Sequence, residues 1–182
     1  MRHLIPLLAA LAIVTPAAAA QVDDAAAVAI ARPHELIVAP SVSPAQRAQI
    51  LKPIDAFYGF WNNGSGVLLH QALSPAFNDH TLPPGRPQGP AGPAAAAKGF
   101  LAAVPDLHCE VVQRLVVSDR VVSHLHFTGH FTGVFQGRQG HGEPIDFIAT
   151  DILKVHGGKI TDNWHLEDNL TFLQQIGLVP KS

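Results

Sequence analysis

Cysteine is nearly absent from this chain of 182 residues, and neither sign of charge predominates. The lone cysteine, Cys109, excludes an intrachain disulfide and any cysteine-based metal cluster. It lies in an apolar, strand-like run, where a thiol is a small buried hydrophobe rather than a nucleophile. Lys and Arg number 12 against 14 Asp and Glu, and they are scattered. No basic patch offers itself to a nucleic acid. Long apolar runs are also missing, with one exception at the start. Met1-Arg2-His3 precedes an apolar run from Leu4 to Val14, and Pro16 and a run of alanines to Ala20 follow. That is the layout of a signal peptide. The run is too short for a comfortable membrane span, and no later segment supplies one. We expect cleavage after Ala20, secretion or delivery to the periplasm, and no membrane contact afterwards.

What remains is long enough for one domain with a sizeable core. Residues 21–42 are Ala-rich and weakly patterned, and they read as a loosely ordered arm before a domain over 43–182. Ser43 and Pro44 supply an N-cap and a first helical residue. Ile50, Ile54, Phe57, Tyr58 and Trp61 continue at helical spacing until Asn62-Asn63-Gly64. A short helix over Val67 to Leu73 and an extended piece over Ala76 to Thr81 come next. Residues 82–93 are punctuated by proline and glycine at nearly every step, so they read as a loop, mobile or lid-like. Ala94 to Val104 reads as a third helix, stopped by Pro105.

From Leu107 the pattern changes period. Leu107–Val117, Arg120–Thr132, Pro144–Val155 and Lys159–Glu167 are four strand candidates, with turns at Ser118-Asp119 and Gly157-Gly158 and a wider loop over Gly137–Gly142. Asn169 to Leu178 reads as a closing helix that Asp168 caps. Helices followed by an antiparallel sheet make an α+β domain.

The last hairpin carries the chemistry. Asp151, Asn163 and His165 bring an acid, an amide and an imidazole to neighbouring strands, the material of general acid–base catalysis. Their meeting depends on the turn, because a one-residue slip turns a side chain to the other face. A two-residue Gly157-Gly158 turn sets Asp151 opposite Trp164 and sends His165 to the far side. A three-residue turn that includes His156 sets Asp151 opposite Asn163, with His165 two residues along on the same face. We expect the three-residue turn.

Other groups weigh less. His124, His126 and His130 share one parity, which suggests a metal site. Leu125, Phe127 and Phe131 hold the opposite parity and are better core residues. We therefore expect these histidines to face solvent or a partner copy, and we assign no metal. Phe147 and Trp164 are packing residues first, with Phe147 also set to touch a ligand.

Two segments resemble a known family. One runs from Thr128 to Gly137 (TGHFTGVFQG). The other runs from Asp151 to His165 (DILKVHGGKITDNWH) and continues to Leu173–Gly177 (LQQIG). With helices placed before long strands, they are similar to the SnoaL-like polyketide cyclases, also described as ester cyclases, of the nuclear-transport-factor-2-like superfamily. The resemblance spans about residues 46–178. It implies a cone: a curved antiparallel sheet around the N-terminal helices, with an apolar cavity at its mouth. It implies a small apolar carbonyl or ester compound as ligand, and ring closure without metal or organic cofactor. Tyr58 and Trp61 would line the cavity from the first helix, and His80 or Asn78 would edge its mouth. The family's acid on the final strand is His165 here, and its neighbouring histidine is Asp151, so the pair is exchanged. Non-catalytic binding of a small molecule, or pairing of two copies through the outer sheet face, are the other roles the superfamily implies.

Overall fold

The computed structural model describes residues 22–181, so the leader read in residues 1–20 lies outside the described residues. Helix α1 (Asp24–Ile30) and strand β1 (Glu35–Val38) come first, followed by α2 (Pro44–Asn63), α3 (Gly66–Ala72), β2 (Leu73–Asp79) and α4 (Ala91–Ala103). The strands β3 (His108–Val117), β4 (Arg120–Phe131), β7 (Glu143–His156) and β8 (Lys159–Glu167) form the centre of a sheet. A small hairpin of β5 (Val134–Phe135) and β6 (Arg138–Gln139) stands apart from it, and α5 (Asn169–Gln175) closes the chain.

Sheet order is β1-β3-β4-β7-β8-β2. The four central strands are antiparallel, as expected, but both edges are parallel: β1 pairs with β3 and β2 with β8. The sheet is therefore mixed rather than purely antiparallel. Strand β7 shows why the residues choose this layout. Ile145, Phe147, Ala149, Asp151, Leu153 and Val155 point inward, and the residues between them point out. That is the period-two alternation of a sheet with one covered face.

Helix α2 covers that face. Ser43 caps it in a reciprocal box with Gln46, and Gly64, at φ 69°, ends it in the left-handed conformation. Ile50, Ile54, Phe57 and Phe60 carry its buried side into the core.

The N-terminal arm is not loose. Asp23 caps α1 through the Ala26 amide, and Ala27 and Ala31 are fully buried. Gly59 explains the fit, because a Cβ there would stand 2.8 Å from Val28 Cγ2. Small residues on both helices let α1 lie close against α2. Residues 24–30 thus pack as part of the domain, ahead of Ser43. Helix α4 also begins earlier than expected, at Ala91. Pro93 sits in its first turn, where the missing amide hydrogen has no helical partner to lose.

Candidate active site

The last hairpin settles its register in a third way. Gly157 and Gly158 have φ of 58° and 72°, and His156 pairs with Lys159, so the turn has two residues. The ladder then slips: Val155 pairs with Ile160, but Lys154 pairs with Asp162. Thr161 is the extra residue of a β-bulge. The bulge undoes the face reversal that a two-residue turn would impose. Asp151 stands directly opposite His165, rather than opposite Asn163 or Trp164.

The contact is close. His165 Nδ1 lies 2.8 Å from Asp151 Oδ1, and Asp151 is only 2 % exposed. The Tyr58 hydroxyl donates to Asp151 Oδ2 at 3.0 Å from α2. On its other side, His165 Nε2 is 3.4 Å from Glu167 Oε2. The imidazole therefore lies between two carboxylates. Burial works against its charge, but the hydrogen bonds and charges of Asp151 and Glu167 outweigh burial and push its pKa up to about 10. At neutral pH it is an imidazolium. Burial, reinforced by the Asp151 charge, holds the Tyr58 hydroxyl protonated well above the usual phenol range.

A second layer supports Asp151. Arg114 is fully buried, pairs with Asp55, donates to the Ala31 carbonyl at 3.3 Å and reaches Ser123 Oγ at 3.4 Å. Its guanidinium stands 5.3 Å from the Tyr58 ring centre. Ser123 is the cross-strand neighbour of Asp151. The buried guanidinium is thus paired and hydrogen-bonded, as a charge out of water must be, and it fixes the side chains packed around Asp151.

The site opens into a cavity of about 360 Å³, within the size range of small-molecule pockets. Phe57, Trp61, Phe100, Leu125, Phe127 and Phe147 form much of its wall. Asp151, Asn163, His165 and Glu167 supply polar groups along one side.

The family model for SnoaL-like polyketide cyclases matches residues 53–176. The chain belongs to the SnoaL-like polyketide cyclase family. It is similar to a Bacillus cereus protein provisionally named a polyketide cyclase, at 43% identity and TM-score 0.75, over 82% of this chain and 95% of that one. It is also similar to IdmH of Streptomyces antibioticus, provisionally named likewise, at 25% identity and TM-score 0.62, over 69% and 96% of the two chains. A Catenulispora acidiphila protein with a ketosteroid-isomerase-like fold shares the fold alone, at 16% identity and TM-score 0.54, over 69% of this chain and 92% of that one. None of the curated proteins matches the sequence.

Within this SnoaL-like domain the expected site residues divide. Trp61, Phe147 and Asn163 line the cavity with Asp151 and His165. Tyr58 does not line it; fully buried, it stands behind Asp151 as a hydrogen-bond donor. His80 does not line it either. Its ring stacks on Trp164 at 4.2 Å and pairs with Asp162 at 2.8 Å, on the outer face where Trp164 neighbours the exposed Ile152. The bulge at Thr161 is the reason, because it leaves Trp164 pointing outward. Asn78 contacts the His80 ring and stays exposed. The strand histidines each have a nearby partner: His124 with Thr150, His126 with Asp146 and His130 with Asp106. Asp168 caps α5 through the Thr171 amide, as expected.

Two participants escaped the sequence reading. Glu167 shares the parity of His165 on β8, and that parity was a usable signal. Arg114 is a charge within an apolar strand, and such a residue needs a buried partner. The Pro-rich loop is also better fixed than its composition implies. Gln88 exchanges two hydrogen bonds with the Asp79 backbone, and Pro83 and Arg86 edge the cavity.

Proposed function

We propose that this SnoaL-like domain takes a small, largely apolar carbonyl or ester compound into its cavity and moves a proton on the carbon beside the carbonyl. Cyclisation, isomerisation or hydrolysis would be the outcome class. The observation that carries this reading is the Asp151–His165 contact of 2.8 Å at the wall of an apolar cavity. A fixed cation beside a carbonyl oxygen favours the negative charge that grows there as the proton leaves. Asp151 holds the ring in place, and the ring carries the charge. Asn163 adds an amide on the same wall, and Trp61 and Phe147 supply apolar contact.

Binding without turnover is the second reading. The engagement of both His165 nitrogens by carboxylates favours it, since an imidazolium with both N–H groups paired has no lone pair to take a proton and no free donor to give one. Deuterium exchange at the α-carbon of 2-tetralone, followed by proton NMR, separates the two. Acceleration by the wild-type protein and its loss in Asp151→Asn support the enzyme. Saturable binding with no acceleration supports the binding module. Native mass spectrometry of the purified protein would then look for a bound natural compound.

We further propose export and self-association. The leader pattern of residues 1–20 supports export, which the N-terminal sequence of the protein recovered outside the cytoplasm would test. Ile148, Ile152 and Leu166 expose apolar side chains on the outer sheet face, which supports pairing with a second copy. Sedimentation equilibrium would give its stoichiometry.

A further inference from the structure

The cavity holds three ionisable groups in a row, and they are not equally free to act. Asp151 is buried, with one oxygen against His165 and the other accepting from Tyr58. His165 has Nδ1 against Asp151 and Nε2 against Glu167. Neither ring nitrogen presents a lone pair to a ligand. Glu167 lines the cavity and meets the ring through Oε2 only, leaving Oε1 out of that contact.

We propose that Glu167 is the proton-accepting base of this cavity and that His165 is the cation that works beside it. The inference rests on the acid–base reading above and assigns its central role to a different residue. In the step, a Glu167 oxygen takes the proton from the carbon next to the substrate carbonyl. The C–H bonding pair becomes a C=C bond, and the carbonyl π pair moves to oxygen. The products are an enolate and a neutral Glu167 carboxylic acid. Glu167 has then lost the charge that held His165 Nε2–H. That donor, at 3.4 Å in the longer of the two ring contacts, becomes available to the enolate oxygen. Asp151 keeps hold of Nδ1 throughout, so the ring neither turns away nor loses its proton. Return of the proton from Glu167 to carbon completes an exchange or an isomerisation, and no other reactant is required.

The test is deuterium wash-in at the α-carbon of 2-tetralone, with wild type, Glu167→Gln and Glu167→Asp compared after thermal melts and ketone binding have been measured for each. Wild type should accelerate exchange. Glu167→Gln should lose about 100-fold or more of that acceleration while still binding the ketone, the scale of a lost general base. Glu167→Asp, which moves the carboxylate back by one methylene, should fall between them. If Gln at this position unfolds the protein, the Asp variant decides, and exchange equal to wild type overturns the proposal. Exchange by Glu167→Gln at the wild-type rate overturns the assignment to Glu167 and leaves the acid–base reading standing. No acceleration by wild type overturns both.

Discussion

Asp151 and His165 face each other across the β7–β8 ladder, 2.8 Å apart, although the turn that joins their strands would by itself have put them on opposite faces. The extra residue at Thr161 brings them together. The site therefore depends on a backbone irregularity as much as on its side chains.

Stability should respond to pH through His165. Its folded pKa, about 10, lies above the unfolded value of about 6.5. A raised pKa means that the folded state binds the proton more tightly. The contribution is fully present below about pH 6.5 and is lost as pH rises through about 10. Urea midpoints taken between pH 6 and 10 should fall with rising pH, and the fall should shrink in His165→Gln. A wild-type midpoint that stays flat across this window would refute the linkage.

Tyr58→Phe removes the donor to Asp151 Oδ2 without changing the packing volume of α2. A hydrogen bond to a charged group is worth about 1.5–3 kcal/mol, and that loss should appear in chemical denaturation. His165 should remain protonated at neutral pH, because its own contact with Asp151 is untouched. A Phe variant as stable as wild type would mean that the hydroxyl does not hold the carboxylate.

Phe147→Ala tests the cavity wall. Phe147 is 2 % exposed and stacks on Phe127 with ring centres 5.1 Å apart. Truncation should cost about 3–5 kcal/mol of stability. It should also weaken 2-tetralone binding, which calorimetry reads directly. Lost stability with unchanged affinity would place the ligand elsewhere.

The central strands were legible because β7 and its neighbours alternate cleanly between apolar and polar residues. The caps at Ser43 and Asp168 were legible because capping is local chemistry. The edge strand β1 was not, and β2 was read only as an extended piece from Ala76, without its partner. They pair in parallel with strands distant in sequence, and no local signal encodes that partner. The arm at 24–30 hid its helix because alanine gives no contrast between a buried and an exposed face. The site residues Asp151 and His165 could be found from residue type and parity, but not their register, since the bulge at Thr161 is set by the ladder and not by a turn motif. Tyr58 was assigned to the right helix and the wrong neighbour, because one turn of helix separates a cavity-facing position such as Trp61 from one that reaches the sheet.

The central claim is that His165 is a cation held between Asp151 and Glu167 in the folded protein. Nitrogen-15 NMR of the imidazole, titrated from pH 5 to 11, measures this directly. The account predicts a ring that carries protons on both nitrogens at pH 7 and titrates near 10, and a clearly lower titration point in Asp151→Asn with the fold retained. A wild-type ring that titrates near the ordinary value of about 6.5, or one whose titration is unmoved in Asp151→Asn, would contradict the account.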